Sequence, residues 1–311
     1  MAQDIVEQEQ ASQEDQGPRW DLHRGSEIDP SLVVIDKLGE GTRYEAYRAW
    51  DRLLFCEAAV KVVRPHRVAD DRAIEGFDRE TSIGLRLTHP YLVRFLRASS
   101  APPRPSLVME YVTAQTLGAH LADVGEVSVP EICLLGIRMA AALHHLHQSG
   151  VLHLDVKPDN VTMGDPPKLL DLSLAMPFVG EVKLRHTMGT AAYMPPEQCD
   201  HGVASPQSDL FSLGATLYEG VSGIRPFPEG EDGASTRADE YPQLVTDAQP
   251  LSEVADVPES LEKILMACLQ RDAARRPRSA VDVAVALHGV LEGLGTKELF
   301  AWPKGTRIRI S

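Results

Sequence analysis

Across residues 31–63 the chain carries short apolar-rich runs, 32–38, 44–50 and 56–63, separated by turn-like stretches. Runs of this length and spacing predict β-strands. The period then changes. Ile74, Phe77, Ile83 and Leu87 fall near one face if 72–87 is helical. Two further runs, 92–96 and 107–111, predict strands again. The segment SSAPPRPS between them predicts a loop, because proline cannot donate to a central ladder.

Beyond residue 111 the pattern turns helical. Ser128 with Glu131 three positions on predicts a capping box, and Pro130 suits a first turn. Val129, Ile132, Cys133, Gly136, Met139, Ala140 and Leu143 then recur at helical spacing, up to a left-handed cap at Ser149-Gly150. Further helices are predicted over 205–221, 258–269 and 279–291, the last with Ser279 and Asp282 as a cap pair. Residues 229–256 are acidic, broken by Pro and Gly, and predict mostly loop. Strands with one helix, followed by a helical half, predict an α+β chain in two parts. The expected organisation is a tail over 1–28, a domain over 29–292 dividing between 111 and 113, and an extension over 293–311 that is more basic from Thr296 onward. No internal repeat is visible.

Composition narrows the function classes. A length of 311 residues suffices for a sizeable core, and a net charge of -14 argues against a nucleic-acid partner. The first 28 residues hold seven acidic side chains, two basic ones and five Gln, which predicts a disordered tail and is unlike a signal peptide. The most apolar run, 129–143, contains Glu131 and Arg138, so no membrane span is expected. Cys56, Cys133, Cys199 and Cys268 are scattered, as in a reducing cytoplasm.

The chemistry concentrates in HLDVKPDN, from His153 to Asn160, followed by LLDLS, from Leu169 to Ser173. The spacing suits phosphoryl transfer, which needs positioning and electrostatics more than covalent chemistry. Asp155 can accept a hydroxyl proton, Lys157 can neutralise charge on the moving phosphoryl group, and Asn160 and Asp171 can hold magnesium. These stretches resemble the catalytic loop and metal motif of the Hanks-type serine/threonine protein kinases, in their bacterial branch. That resemblance implies a two-lobed α+β fold, with a five-stranded antiparallel sheet and one helix before a mainly helical half.

Other motifs extend the resemblance in order over about residues 32–292. LGEGTRYEAYRAWD, from Leu38, resembles the glycine-rich nucleotide loop, where Gly39 and Gly41 let backbone amides approach phosphate. Tyr44 stands where the family has a third glycine. AAVK implies that Ala59 lines the nucleotide site and that Lys61 pairs with Glu80 to hold phosphates. LVMEYV implies Met109 beside adenine, with Glu110 and Val112 offering backbone groups to it. Leu154 replaces an arginine that in many members senses phosphate on the activation segment, and Ser173 replaces a glycine. GTAAYMPPEQ resembles the substrate-docking loop, with Thr190 contacting Asp155 and Lys157. A clamp of Glu197 with Arg276 and an anchoring role for Asp209 follow from the same resemblance. Thr187 is the expected autophosphorylation site. His144, His145 and His147 read as solvated residues at a helix end.

The implied activity is transfer of the ATP γ-phosphoryl group, with Mg2+, to Ser or Thr hydroxyls of proteins. Two alternatives remain compatible: a nucleotide-binding pseudokinase or scaffold, and a small-molecule phosphotransferase of the same fold.

Overall fold

The computed structural model describes residues 17–184, 186–200, 202–230 and 236–296. They form two compact units, one from 17–88 with 93–113 and the other from 89–92 with 114–296. The expected extension lies outside the described residues beyond 296, as does the expected tail up to residue 16.

The first unit is built on a six-stranded sheet in the order β1-β2-β3-β4-β6-β5. Its strands are β1 (Glu27–Asp29), β2 (Leu32–Glu40), β3 (Tyr44–Asp51), β4 (Cys56–Val63), β5 (Phe95–Ser99) and β6 (Ser106–Glu110). All neighbours are antiparallel. Alternation in β3 buries Glu45, Tyr47, Ala49 and Asp51 on one face. Helix α1 (Asp71–Gly84) is capped by Asp70, whose carboxylate accepts from Arg72 N at 3.0 Å and Ala73 N at 3.4 Å. It stops before Leu87 because its last turn tightens, with Arg86 N and Leu87 N bonding three residues back at 3.2 Å.

Three expectations are corrected here. The five expected strands are joined by β1, so 17–28 do not belong to a disordered tail. Ile28 is buried, and Trp20 and Leu22 pack on the core of the sheet. Those apolar residues are diluted among charged ones of both signs in sequence, which hid their burial. Strand β5 starts at Phe95 rather than Leu92, because Leu92 forms an isolated parallel bridge with Leu169 in the second unit.

The second unit is mainly helical. It contains α2 (Leu117–Val124), α3 (Val129–Gln148), α4 (Pro196–Cys199), α5 (Pro206–Ser222), α6 (Arg237–Glu240), α7 (Glu259–Cys268) and α8 (Ala280–Gly293). Helix α3 packs against α5 and α8. At Gly136 a Cβ would collide with side-chain methyls of Leu217 and Leu287, so glycine permits that close approach. By length and composition α3 passes for a membrane span, yet more than half of its apolar stretch is buried inside the unit. The expected box at its start does not form, because Ser128 Oγ bonds the Glu131 carboxylate at 2.5 Å rather than backbone. Ser279 does cap α8, accepting from Asp282 N at 3.3 Å. Two short pairs complete the unit: β7 (Val151–Leu152) with β8 (Met176–Pro177), and β9 (Val182–Lys183) with β10 (Val203–Ala204).

Candidate active site

In the second unit the loop after α3 and β7 is shaped by one buried carboxylate. Asp209 on α5 accepts from His153 N at 2.9 Å and from Leu154 N at 2.8 Å. His147 Nε2 lies 2.8 Å from the same carboxylate. Burial works to raise the Asp209 pKa, but these bonds outweigh it and hold the group below the usual carboxylate range. The support matters because Leu154 has φ +66, a conformation costly for a non-glycine residue. Gln198 Nε2 donates to Leu154 O at 3.1 Å and fixes the other side of that peptide. His147 is therefore not a solvated helix-end residue; its side chain is 8% exposed and faces Asp209.

His153 ties this loop to the next segment. Its Nε2 donates to Leu170 O at 3.1 Å, which leaves Nδ1 to accept from Asp155 N at 3.2 Å. Nε2 is thus the donor and Nδ1 the acceptor in this pair of bonds. Beyond it three side chains close a ring: Lys157 Nζ donates to Thr190 Oγ1 at 2.6 Å, Thr190 Oγ1 donates to Asp155 Oδ1 at 2.9 Å, and Lys157 Nζ sits 3.1 Å from Asp155 Oδ2. Asn160 Nδ2 donates to Asp155 O at 2.8 Å and Oδ2 at 3.0 Å.

The LLDLS segment attaches through Leu170 N to Asn160 O at 2.7 Å. Asp171 follows with φ +56, and its Oδ1 accepts from Ser173 N at 3.0 Å. Magnesium prefers oxygen ligands, and this donor set fits it. Asp171 supplies a carboxylate. Asn160 supplies an amide oxygen turned away from Asp155, because its nitrogen is committed there. Among the described residues no group of three or more His, Cys, Asp or Glu side chains is gathered for a metal.

The segment after Ser173 is held by apolar contacts. Leu154 is buried with Leu152, Leu184 and Ala204, and Leu174, Met176, Phe178, Val182 and Met188 pack on that cluster. Thr187 Oγ1 accepts from Arg237 Nη2 at 2.9 Å, a partner the sequence did not indicate. Arg276 makes a two-pronged contact with Glu197, at 2.7 and 2.8 Å, and also donates to the carbonyls of Gln207, Gln270 and Arg271.

In the first unit Lys61 Nζ lies 2.7 Å from Glu80 Oε1, with Glu80 1% exposed. The ring of Tyr44 sits 5.5 Å from Lys61 Nζ and 6.3 Å from the Phe77 ring. Burial and then the Glu80 charge raise its phenol pKa. Tyr44 is thus a third member of the Lys61 and Glu80 pair, which its place in a glycine motif concealed. Neither Gly39 nor Gly41 has a positive φ, and a Cβ at either would meet open space. Nothing among the described residues requires glycine at these positions. Leu38 is half-exposed, and Ala59 lies opposite Met109, which is buried. Glu110 N is committed to Arg94 O at 2.9 Å, whereas Val112 N and O have no hydrogen-bond partner among the described residues.

Comparison with known proteins identifies the family. Residues 32–285 match the family described as "Protein kinase domain". The chain is 34% identical over 263 residues to the DNA damage-responsive serine/threonine-protein kinase RqkA of Deinococcus radiodurans, covering 81% of this chain and 38% of that protein. It is 28% identical over 265 residues to the serine/threonine-protein kinase PrkC of Bacillus subtilis, covering 83% and 40%. The serine/threonine-protein kinase PknL of Mycobacterium tuberculosis is 29% identical over 277 residues, covering 87% and 68%. The chain thus spans about two fifths of the first two relatives. On the match over 32–285, the chain belongs to the protein kinase domain family.

Proposed function

We propose that this chain is a serine/threonine protein kinase that transfers the γ-phosphoryl group of ATP to Ser or Thr hydroxyls of proteins. The observation that carries the reading is the closed ring of Asp155, Lys157 and Thr190. A carboxylate held by a hydroxyl, an amide and an ammonium is fixed in direction before any substrate arrives. It accepts the proton of the incoming hydroxyl as that oxygen attacks phosphorus. Lys157, on the same carboxylate, stabilises the negative charge of the transferring group. Magnesium, held through Asn160 and Asp171, would screen the phosphates when bound.

Lys61, fixed by Glu80, would contact the α and β phosphates. The amides around Gly39 and Gly41 would lie over them, which accounts for glycines that nothing else among the described residues needs. Adenine would sit beside Leu38, Ala59 and Met109, bonding backbone groups of Glu110 and Val112. Glu197, Arg276 and Asp209 support the loops structurally. Thr187 is the proposed autophosphorylation site. Because Leu154 fills the expected arginine position with apolar contacts, basal transfer does not wait on that phosphate. The four cysteines are free, which suits a cytoplasmic setting.

The test is incubation with magnesium and ATP labelled at either the α or the γ phosphate, with a generic basic acceptor protein. Label on Ser or Thr from γ-labelled ATP alone is the expected result. No transfer from the wild type, with nucleotide still bound, would overturn the kinase reading in favour of a nucleotide-binding scaffold.

A further inference from the structure

The sheet of the first unit has two faces. Helix α1 covers the face that bears Lys61, through Glu80 and the contact of Phe77 with Tyr44. The other face presents Tyr47, Ala49, Ala58, Val60 and Val62, all buried. An antiparallel sheet can leave one face to water only if that face is polar, and this one is not. Its cover comes from residues 17–28, with Trp20 and Leu22 packed on it.

The attachment points of this strap are specific. Trp20 Nε1 donates to Val63 O at 2.8 Å, at the end of β4. Trp20 N donates to Glu45 Oε1 at 2.9 Å. Arg104 stacks on the indole, 4.8 Å from its centre. Arg19 Nη2 lies 2.7 Å from Glu40 Oε1. Glu40 sits between Gly39 and Gly41, and in the register of β2 with β3 it lies directly opposite Glu45. Residues directly opposite share a face, and like charges there push the strands apart. Glu45 is fully buried, so water cannot screen it. The hairpin that carries the glycines therefore has two acidic residues on one face at its neck, and Tyr47 OH already donates to the buried Glu45 carboxylate. The strap sets a guanidinium against one and a backbone N–H against the other.

We propose that Arg19 and Trp20 are positioning residues for the glycine hairpin, holding its neck closed so that its amides are ordered before nucleotide binds. The inference rests on the kinase reading for its catalytic consequence but not for its structural one. Arg64 holds the hairpin tip from the opposite side, bonding Gly41 O at 3.2 Å and Arg43 O at 3.0 Å through its own N–H. Lys37 also reaches Glu40, at 2.5 Å. Loss of Arg19 alone therefore loosens the hairpin rather than unfolding it.

The experiment follows amide hydrogen exchange across residues 39–45 in the full chain without nucleotide, for the wild type, Arg19→Ala, Arg19→Glu, Arg19→Lys and Trp20→Ala. Steady-state kinetics with ATP are measured on the same preparations. Exchange at Gly41 to Glu45 is expected to rise about threefold in Arg19→Ala and about tenfold in Arg19→Glu, with Arg19→Lys close to wild type, in line with a half-exposed pair of modest strength. KM for ATP should rise in the same order while kcat stays within about twofold. Adding salt should shrink the difference between wild type and Arg19→Ala, since the pair is screened. Trp20→Ala should exchange fastest; if it fails to fold, the Arg19 series decides. Unchanged exchange in Arg19→Glu would overturn the proposal even if the wild type is an active kinase. Faster exchange in a chain that transfers no phosphate would uphold the strap and overturn the kinase reading.

Discussion

Replacing Asp209 by Ala tests whether one carboxylate builds the catalytic loop. The side chain accepts three hydrogen bonds, from His153 N, Leu154 N and His147 Nε2, at 2.8–2.9 Å. Both backbone donors belong to residues at most 1% exposed, so water does not easily replace the lost acceptor. An orphaned buried donor costs about 1–3 kcal/mol, so two cost about 2–6. Relaxation of Leu154 out of φ +66 returns about 1 kcal/mol of stored strain. A net loss of about 3 kcal/mol follows, at the lower edge of the range for breaking one side of a buried pair. For a domain of this size that is about 6–12 °C in Tm. The assay is thermal and urea unfolding of wild type, Asp209→Asn and Asp209→Ala. Asparagine keeps one carbonyl acceptor and should lose about half as much. The pH dependence carries a sign. Asp209 has a lowered pKa, so its contribution is fully present above the ordinary carboxylate value of about 4 and is lost as pH falls through the folded-state value. The wild type should shed its advantage over Asp209→Ala only in that acid range. A melting point for Asp209→Ala within about 2 °C of wild type would refute the reasoning, because it would mean that the loop is held by something else.

Three further outcomes are expected. Arg276→Ala should destabilise by about 3–5 kcal/mol in urea unfolding, because it strands the Glu197 carboxylate and three carbonyls; Glu197→Gln with Arg276→Met should recover part of that loss. Thr190→Val should lower phosphoryl transfer by about 10- to 100-fold at unchanged KM for ATP, since it removes the hydroxyl between Lys157 and Asp155 and leaves the Lys61 and Glu80 pair intact. His89 has its pKa lowered by burial and then by His145, so its neutral form belongs to the fold. Its stabilisation is therefore present above about pH 6.5 and declines below it, and His89→Gln should flatten the fall of Tm between pH 7 and pH 5.

Much of this was legible in the sequence, for reasons that differ by element. The strands at 44–51 and 56–63 were readable because their apolar runs end in turn-like stretches, and their burial alternates with period two. Helix α3 was readable from spacing, although its buried residues lie on more than one face. The segment 17–28 was not. Its Trp20 and Leu22 are isolated among charges, and their cover is needed only by a sheet whose second face no local pattern reveals. The start of β5 slipped by three residues because Leu92 is buried and its backbone bridges Leu169, a partner far along the chain. Of the candidate site, spacing could bring forward Asp155, Lys157 and Asn160, which share one loop. It could not show that His147 faces Asp209, 62 positions on. Nor could it show that Tyr44 lies over Lys61, or that Arg237 reaches Thr187. Each depends on a contact between segments that only the folded chain brings together.

The central claim is that the Asp155 carboxylate takes the acceptor's proton. The most direct test is to measure ATP binding and single-turnover transfer to a protein acceptor on the same samples of wild type and Asp155→Asn. The account predicts binding within about threefold and transfer lower by about 10²–10⁴, the usual worth of a general base. Transfer by Asp155→Asn at the wild-type rate would contradict it.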